Sequence, residues 1–92
     1  MIVSFSCRLT QALFEGKRVP RFVNFQSTAE RKLAMLDAAA ILDDLGTPPG
    51  NRLERLYSDR PEQYSVRVND QWRICFTWTR DGPAHVAIID YH

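Results

Sequence analysis

Two arginines in the second half of the chain stand where a β-hairpin would place them face to face. The apolar residues of 66–68 and 72–74 alternate with polar ones, so a hairpin that buries both sets pairs Val66 with Ile74 around a loop at 69–71. The same register sets Arg67 directly opposite Arg73 on the other face. Directly opposed like charges are destabilising, by a few tenths of a kcal/mol to about 1 kcal/mol at an exposed site.

This pair of arginines has two interpretations. An anion between them would convert the repulsion into a binding site, because guanidinium groups match phosphate oxygens. Alternatively, each arginine is paired with a nearby carboxylate, and the candidates are Glu54, Asp70 and Asp90. The two interpretations are compatible if a carboxylate keeps an arginine in place until a substrate arrives.

The chain ends with Asp90, Tyr91 and His92, three residue types that can transfer protons or position a substrate. Imidazole titrates near neutral pH, a carboxylate can orient it or accept a proton, and a tyrosine ring can stack on a base. Cleavage of RNA without a metal needs a base for the 2′-OH, an acid for the 5′-oxygen and positive charge at the phosphorane. The alternative interpretation is a solvated tail.

One long helix is predicted ahead of these residues. Ser27 with Glu30 three residues later is a capping-box pattern, and the run from Thr28 to Leu45 is rich in Ala and Leu. Gly46 and the following prolines would stop the helix there. Its apolar stripe predicts core packing and consists of Ala29, Leu33, Leu36, Ala40 and Leu45.

The other segments predict an α+β fold, with an N-terminal strand and helices packed on an antiparallel sheet of about four strands. Met1 to Phe5 suggests a strand, Arg8 to Glu15 one or two helical turns with Leu9, Ala12 and Leu13 on one face, and Gly16 to Gln26 a loop. Period-two alternation after Gly50 predicts the sheet, with candidate strands at 53–57, 64–68, 72–78 and 84–91.

Composition fits one soluble domain spanning residues 1–92, with no second domain, signal peptide or membrane span expected. The net charge of +1 does not by itself indicate a nucleic-acid-binding protein. Cys7 and Cys75 are too few for a disulfide framework and lack zinc-ligand spacing, and Cys75 is expected in the core. His85 is expected at the surface or at a strand start. The aromatic residues of 72–78 fit the core better than a base-stacking platform.

Several blocks together resemble the HigB branch of the RelE-type toxins. They are the segments 29–38, 48–54 and 65–76 and the terminal Asp90, Tyr91 and His92, and the resemblance covers most of the chain. It implies a RelE-like microbial ribonuclease fold and metal-independent, cofactor-free cleavage of mRNA, typically on the ribosome in the cytoplasm. It also implies a cognate helix-turn-helix antitoxin that neutralises the toxin, so that operator DNA is contacted only through the antitoxin.

The resemblance also assigns candidate site residues. Arg73 matches the arginine expected on the scissile phosphate, and Asp90, Tyr91 and His92 match the terminal acid–base and positioning group. The chain departs from the family at three places. Glu54 stands in a stretch where some members carry a catalytic histidine, Tyr57 and Ser58 replace a common Lys-Gly, and Glu62 replaces an expected glycine.

The resulting hypothesis is an endoribonuclease toxin that forms a 2′,3′-cyclic phosphate by attack of the ribose 2′-OH. Arg73 stabilises the phosphorane, Arg67 holds a neighbouring phosphate, and His92 transfers a proton. Asp90 or Glu54 orients His92 or shares the role of base, and Tyr91 positions the base or sugar. Candidate ribosomal RNA contacts, each otherwise an ordinary solvated side chain, are Lys17, Arg18, Arg21, Arg52 and Arg55. The rival hypothesis is a binding module that no longer cuts RNA.

Overall fold

The computed structural model describes residues 1–57 and 62–91. Two α-helices come first, α1 (Arg8–Phe14) and α2 (Gln26–Ala38). Four strands follow, β1 (Glu54–Arg55), β2 (Gln63–Arg67), β3 (Trp72–Thr79) and β4 (Gly82–Asp90). Short 3₁₀ turns lie at Pro20–Phe25, Leu42–Leu45 and Pro49–Asn51. Within the described ranges, no helix has the length and apolar character needed to span a membrane.

The strands form one antiparallel sheet in the order β1-β2-β3-β4, with the helices on one face, which confirms the predicted α+β class. The predicted hairpin register is also confirmed. Val66 pairs with Ile74, and Arg67 pairs with Arg73. Val66 and Ile74 are almost completely buried against the helices, so burial of the apolar set fixes the face on which the arginines lie.

The core lies between the sheet and helix α2. Ala29, Leu33 and Leu36 are fully buried at helical spacing, as the apolar stripe predicted. Phe22 packs edge-on against Trp72 with ring centroids 5.7 Å apart, which joins the segment before α2 to the sheet. The aromatic side chains of this region therefore belong to the core.

Both predicted ends of the long helix are wrong. It begins at Gln26 with no side-chain cap from Ser27, and it ends at Ala38 rather than Leu45. The Asp44 carboxylate accepts hydrogen bonds from the backbone amides of Ala40 and Ile41, and this contact supports a separate 3₁₀ turn at Leu42–Leu45. Leu45 is buried in that turn, whereas Ala40 is exposed. The buried helical stripe therefore ends at Leu36.

The N-terminal third also differs from prediction in two places. Gly16 to Gln26 is not a bare loop, because it contains the 3₁₀ turn and buries Val19 and Phe22. In α1 the buried face includes Thr10 rather than Leu9, and the Thr10 hydroxyl accepts the Ile88 amide at 2.9 Å. The segment at residues 1–6 runs parallel to β4 with one bridge at Phe5 and Val86, so it is less regular than the predicted strand.

A β-bulge interrupts the pairing of β3 with β4. Cys75 pairs with Ala87 and Thr77 pairs with Ala84, so His85 and Val86 both lie opposite Phe76. Val86 occupies the core, and His85 is exposed with φ of 53°. The bulge therefore turns an extra side chain outward in the middle of the sheet.

Candidate active site

The candidate site lies on the sheet face opposite the helices, called the site face below. Strand register assigns to it Ser65, Arg67, Arg73, Cys75, Thr77, Ala87 and Ile89. Glu54 pairs with Ser65 and therefore shares this face. Tyr91 reaches it from the end of β4, where its hydroxyl lies 3.8 Å from the Cys75 sulfur. The fold thus brings four predicted site residues together: Glu54, Arg67, Arg73 and Tyr91.

Arg73 is the most firmly held of these residues. Its Nε donates to the Ser65 hydroxyl at 2.7 Å, and its Nη2 donates to the Arg52 carbonyl at 2.6 Å and to the Ser65 carbonyl at 3.3 Å. The residue is only 9% exposed. These acceptors are neutral oxygens, so they orient the guanidinium without cancelling its charge. Arg73 can therefore attract an anion such as a phosphate.

Arg67 is held in a different way. Its Nη2 donates to the carboxylate of Asp70, whose side chain is 99% exposed. The carboxylate interpretation is therefore right for Arg67, with Asp70 as the partner. An exposed ion pair of this kind contributes little to stability and exchanges readily, since water screens both charges. Arg67 can leave Asp70 for a phosphate at small cost.

A buried lysine supports the loop that holds Arg73. Lys32 in α2 is 6% exposed and donates to the Asn51 side-chain oxygen at 2.7 Å. The Asn51 amide in turn donates to the Leu45 carbonyl at 3.0 Å. The next residue, Arg52, adopts the left-handed conformation and presents its carbonyl to Arg73. Lys32 and Asn51 therefore connect helix α2 to the candidate phosphate-binding arginine.

Lys32 also adds positive charge behind the site face. Burial lowers the pKa of Lys32, and the positive charges of Arg31, Arg67 and Arg73 lower it further.

Sequence reasoning missed Lys32 and Asn51. A usable signal was present, because Lys32 falls within the buried helical stripe between Ala29 and Leu33, where an apolar residue is expected.

Tyr91 and Cys75 form the neighbouring part of the site. Burial raises the pKa of Tyr91, and Cys75 and Glu54 raise it further against the opposing effect of Arg73. The Tyr91 hydroxyl therefore stays protonated at neutral pH and can donate a hydrogen bond. Burial also raises the pKa of Cys75, although Tyr91 and Arg73 oppose the shift. Cys75 was expected in the core, which is wrong: it is half-buried on the site face.

The terminal residue Asp90 is not brought to Arg73. Asp90 pairs with Trp72, a core residue, so the register directs Asp90 toward the helix side of the sheet. There its carboxylate accepts a hydrogen bond from the Gln71 side chain at 3.1 Å. His92 lies outside the described residues, as does Ser58.

The remaining basic candidates lie at the surface. Lys17 forms an ion pair with Glu15 at 3.3 Å, and Arg18 is exposed. The Arg21 guanidinium lies 5.5 Å from the Trp72 ring centroid and that of Arg55 lies 6.0 Å from Tyr57. Arg52 is exposed, although its carbonyl belongs to the site.

Residues 1–57 and 62–91 contain no group of three or more His, Cys, Asp or Glu side chains that could hold a metal ion. A held guanidinium, a protonated tyrosine and a carboxylate on one surface suit the binding and transesterification of a phosphodiester.

Comparison with known proteins gives two kinds of match. Residues 9–92 match the family model described as the RelE-like toxin of the type II toxin–antitoxin system HigB. The chain is also 35% identical over 94 residues to Toxin HigB-1 of Vibrio cholerae, with 100% of this chain and 98% of the relative covered. An uncharacterized protein of Haemophilus influenzae is 38% identical over 55 residues, which are 60% of this chain and 54% of that protein.

Proposed function

The chain belongs to the HigB-like family of RelE-like toxins from type II toxin–antitoxin systems, and on this premise we propose that it is a ribosome-dependent endoribonuclease that cleaves mRNA without a metal or cofactor. The observation that carries the proposal is the orientation of Arg73 by neutral oxygens. A guanidinium fixed in this way is already oriented when a phosphate binds. Its positive charge stabilises the phosphorane more strongly than the ground-state phosphate, because negative charge builds up on the phosphorane oxygens.

The proposed reaction is attack of a ribose 2′-oxygen on the adjacent phosphorus. The 2′-OH proton passes to Glu54, which shares the site face with Arg73. As the O2′–P bond forms and the P–O5′ bond breaks, His92 gives its proton to the leaving 5′-oxygen. The products are a 2′,3′-cyclic phosphate and a free 5′-hydroxyl. Arg73 stabilises the negative charge of the phosphorane throughout.

Two further residues hold the RNA in this scheme. Arg67 exchanges its exposed partner Asp70 for the phosphate next to the scissile one. Tyr91, which remains protonated, positions the ribose or base by hydrogen bonding or stacking. Asp90 acts at a distance from Arg73 in this scheme, by holding the C-terminal end of β4 through Gln71.

The proposed partners follow from family membership and from charge. A cognate helix-turn-helix antitoxin neutralises the toxin in the cytoplasm and is the only route by which the chain meets operator DNA. Ribosomal RNA would be contacted by exposed cations through its phosphates, without sequence information. The candidates are Lys17, Arg18, Arg21, Arg52 and Arg55.

A second candidate is a non-catalytic module that binds the ribosome or a protein partner. One observation favours it: Tyr57 is 94% exposed at a position where many family members carry a lysine able to bind phosphate. Loss of that contact would weaken the hold on RNA, and Glu54 in place of a histidine changes the available base.

Primer extension on mRNA separates the two candidates. The purified chain is added to an mRNA in a reconstituted translation reaction and, in parallel, to the same mRNA without ribosomes. We expect discrete cuts only with ribosomes present, and upstream fragments that end in a 2′,3′-cyclic phosphate. Intact mRNA under both conditions, with the chain bound to ribosomes, would instead support the binding module.

A further inference from the structure

A cavity of about 170 Å³ opens on the site face beside Arg73. Its walls come from β2, β3, β4, the segment after β1 and the N-terminal segment. It is lined by Ser6, Leu56, Gln63, Cys75, Thr77 and His85, together with Phe76, Ala87 and Ile89. Cys75 lies two residues after Arg73 on the same face of the same strand, which is an advance of about 6.6 Å. The cavity is therefore a direct neighbour of the candidate phosphate site.

The β-bulge builds one wall of this cavity. His85 is the extra residue of the bulge, and its φ of 53° lies in the left-handed region. Glycine is the usual residue at such a position, because it adopts this conformation without a steric penalty. Histidine therefore costs backbone strain here, and strained residues of this kind concentrate at binding and catalytic sites.

Within residues 1–57 and 62–91, His85 makes its hydrogen bonds through main-chain atoms and none through its side chain. Its backbone amide donates to the Ser4 hydroxyl at 2.9 Å, and its carbonyl accepts the Ser6 hydroxyl at 3.1 Å. Both contacts would survive replacement by glycine, because both use main-chain atoms. What histidine adds is the imidazole ring at the rim of the cavity.

The size and lining of the cavity indicate its occupant. Pockets for drug-sized molecules span about 300–1,000 Å³, so this smaller space suits a single planar ring system. The Leu56, Ala87 and Ile89 side chains can contact ring faces, while the Gln63 amide, the Thr77 hydroxyl and the His85 ring can hydrogen-bond to a ring edge. A phosphate bound to Arg73 would place the attached nucleoside within reach.

We propose that this cavity receives one nucleobase of the RNA, that of a nucleotide flanking the phosphate on Arg73, and that His85 helps to select the base. The inference rests on the proposed function and deepens it, because it identifies where the toxin reads its substrate. Recognition of an unstacked base by ring contact and edge hydrogen bonds is the usual mode for single-stranded RNA.

The test uses His85→Gly with a non-cleavable probe. Four dinucleotides that carry a 2′-O-methyl group on the first ribose, and differ in the second base, are titrated into the full chain and followed by NMR. For wild type we expect the His85 and Cys75 resonances to shift, with affinity that differs among the four bases. We expect His85→Gly to lower the affinity for the preferred dinucleotide about tenfold and to reduce the differences in affinity among the four bases.

Stability distinguishes this role from a structural one. Because glycine relieves the left-handed strain at residue 85, the melting temperature of His85→Gly should equal or exceed that of wild type. Glu62→Gly is the matched control, since Glu62 also has a positive φ, of 62°, and does not line the cavity. It should gain stability and bind the dinucleotides as wild type does.

Two results would overturn the proposal: dinucleotide shifts confined to residues away from the cavity, or wild-type affinity and base preference in His85→Gly. Failure of the proposed function looks different. If wild type binds the dinucleotides through the cavity but leaves mRNA intact on ribosomes, the base site stands and the endoribonuclease proposal falls. If wild type cuts mRNA and His85→Gly cuts the same codons at the same rate, the base site falls alone.

Discussion

Arg67 and Arg73 are direct cross-strand partners whose guanidinium groups are held by different kinds of acceptor, an exposed carboxylate for Arg67 and neutral oxygens for Arg73. The partner of Arg67 can be replaced, whereas the partners of Arg73 are fixed. Arg67 is screened by water and can exchange Asp70 for a phosphate, whereas Arg73 is oriented before any substrate arrives. Asp70 offsets part of the repulsion between the two arginines in the free protein, and a phosphate bound between them would offset it further.

Replacing Ser65 with alanine should reduce cleavage through Arg73. Ser65 is fully buried and accepts the Arg73 Nε, so Ser65→Ala leaves that donor without its hydroxyl partner. We expect the single-turnover cleavage rate on ribosomes to fall about tenfold, and the free energy of unfolding to fall by about 1–3 kcal/mol. Thr47→Ala, which removes an exposed hydroxyl, is the control and should change neither quantity appreciably. A wild-type cleavage rate in Ser65→Ala would show that this contact does not orient Arg73 for catalysis.

Breaking the hydrogen-bonded connection from Lys32 through Asn51 should destabilise the folded protein. Asn51→Ala removes the hydrogen bond to Lys32 and the one to the Leu45 carbonyl, and it leaves a buried ammonium without its acceptor. We expect a loss of about 3 kcal/mol in the free energy of unfolding, measured by urea titration. Asn24→Ala, at an exposed asparagine, should stay within about 0.5 kcal/mol of wild type. Similar losses for the two variants would argue against the buried connection.

The two cysteines should differ in reactivity. Burial would raise the pKa of Cys7, but hydrogen bonds from Thr10 and Leu9 and the charge of Arg21 outweigh it, so the pKa is lowered. Burial raises the pKa of Cys75. Because the thiolate is the nucleophile, Cys7 holds the larger reactive fraction at pH 8 and should be alkylated first by iodoacetamide. Peptide mass spectrometry measures both rates, with the urea-unfolded chain as the control in which they converge. Faster labelling of Cys75 in the folded chain would contradict the assignment.

Glu62 offers a way to stabilise the protein. Its φ of 62° is a conformation that glycine adopts freely, which explains why a glycine is expected at this position. Glu62→Gly should raise the free energy of unfolding by about 1 kcal/mol, even though the exposed hydrogen bond from Tyr64 is lost. Glu62→Ala is the informative control, because it removes the same side chain but keeps the strain. Equal stability of the two variants would place the effect in the side chain rather than the backbone.

The sequence was sufficient to predict the sheet face of the arginines, because period-two alternation forces a single register when one face is buried. It was not sufficient for the end of α2. Alanine-rich residues up to 40 favour a helix, yet Asp44 captures the amides of Ala40 and Ile41 and starts a new turn. Local propensity cannot reveal such competition from a side chain further along the chain.

In the candidate site, too, the sequence predicted some residues and missed others. The roles of Ser65 and Asn51 arise from contacts across the fold, so no local pattern marked them. The period-two alternation of β3 places Cys75 on the same face as Arg73 and Thr77, but its apolar residue type and apolar neighbours favoured the core, and this led to the wrong assignment. The bulge at His85 was also invisible, since its signal is a backbone angle at a residue that rarely adopts it.

The proposed mechanism depends most on Arg73 as the residue that stabilises the phosphorane. The direct test is the single-turnover rate of mRNA cleavage on programmed ribosomes for wild type and Arg73→Lys, with the melting temperatures compared to exclude unfolding. Lysine keeps the charge but cannot donate to Ser65 and the Arg52 carbonyl while also facing a phosphate. We predict a fall in rate of about 100-fold or more. A rate within about twofold of wild type, in a folded variant, would contradict the central assignment.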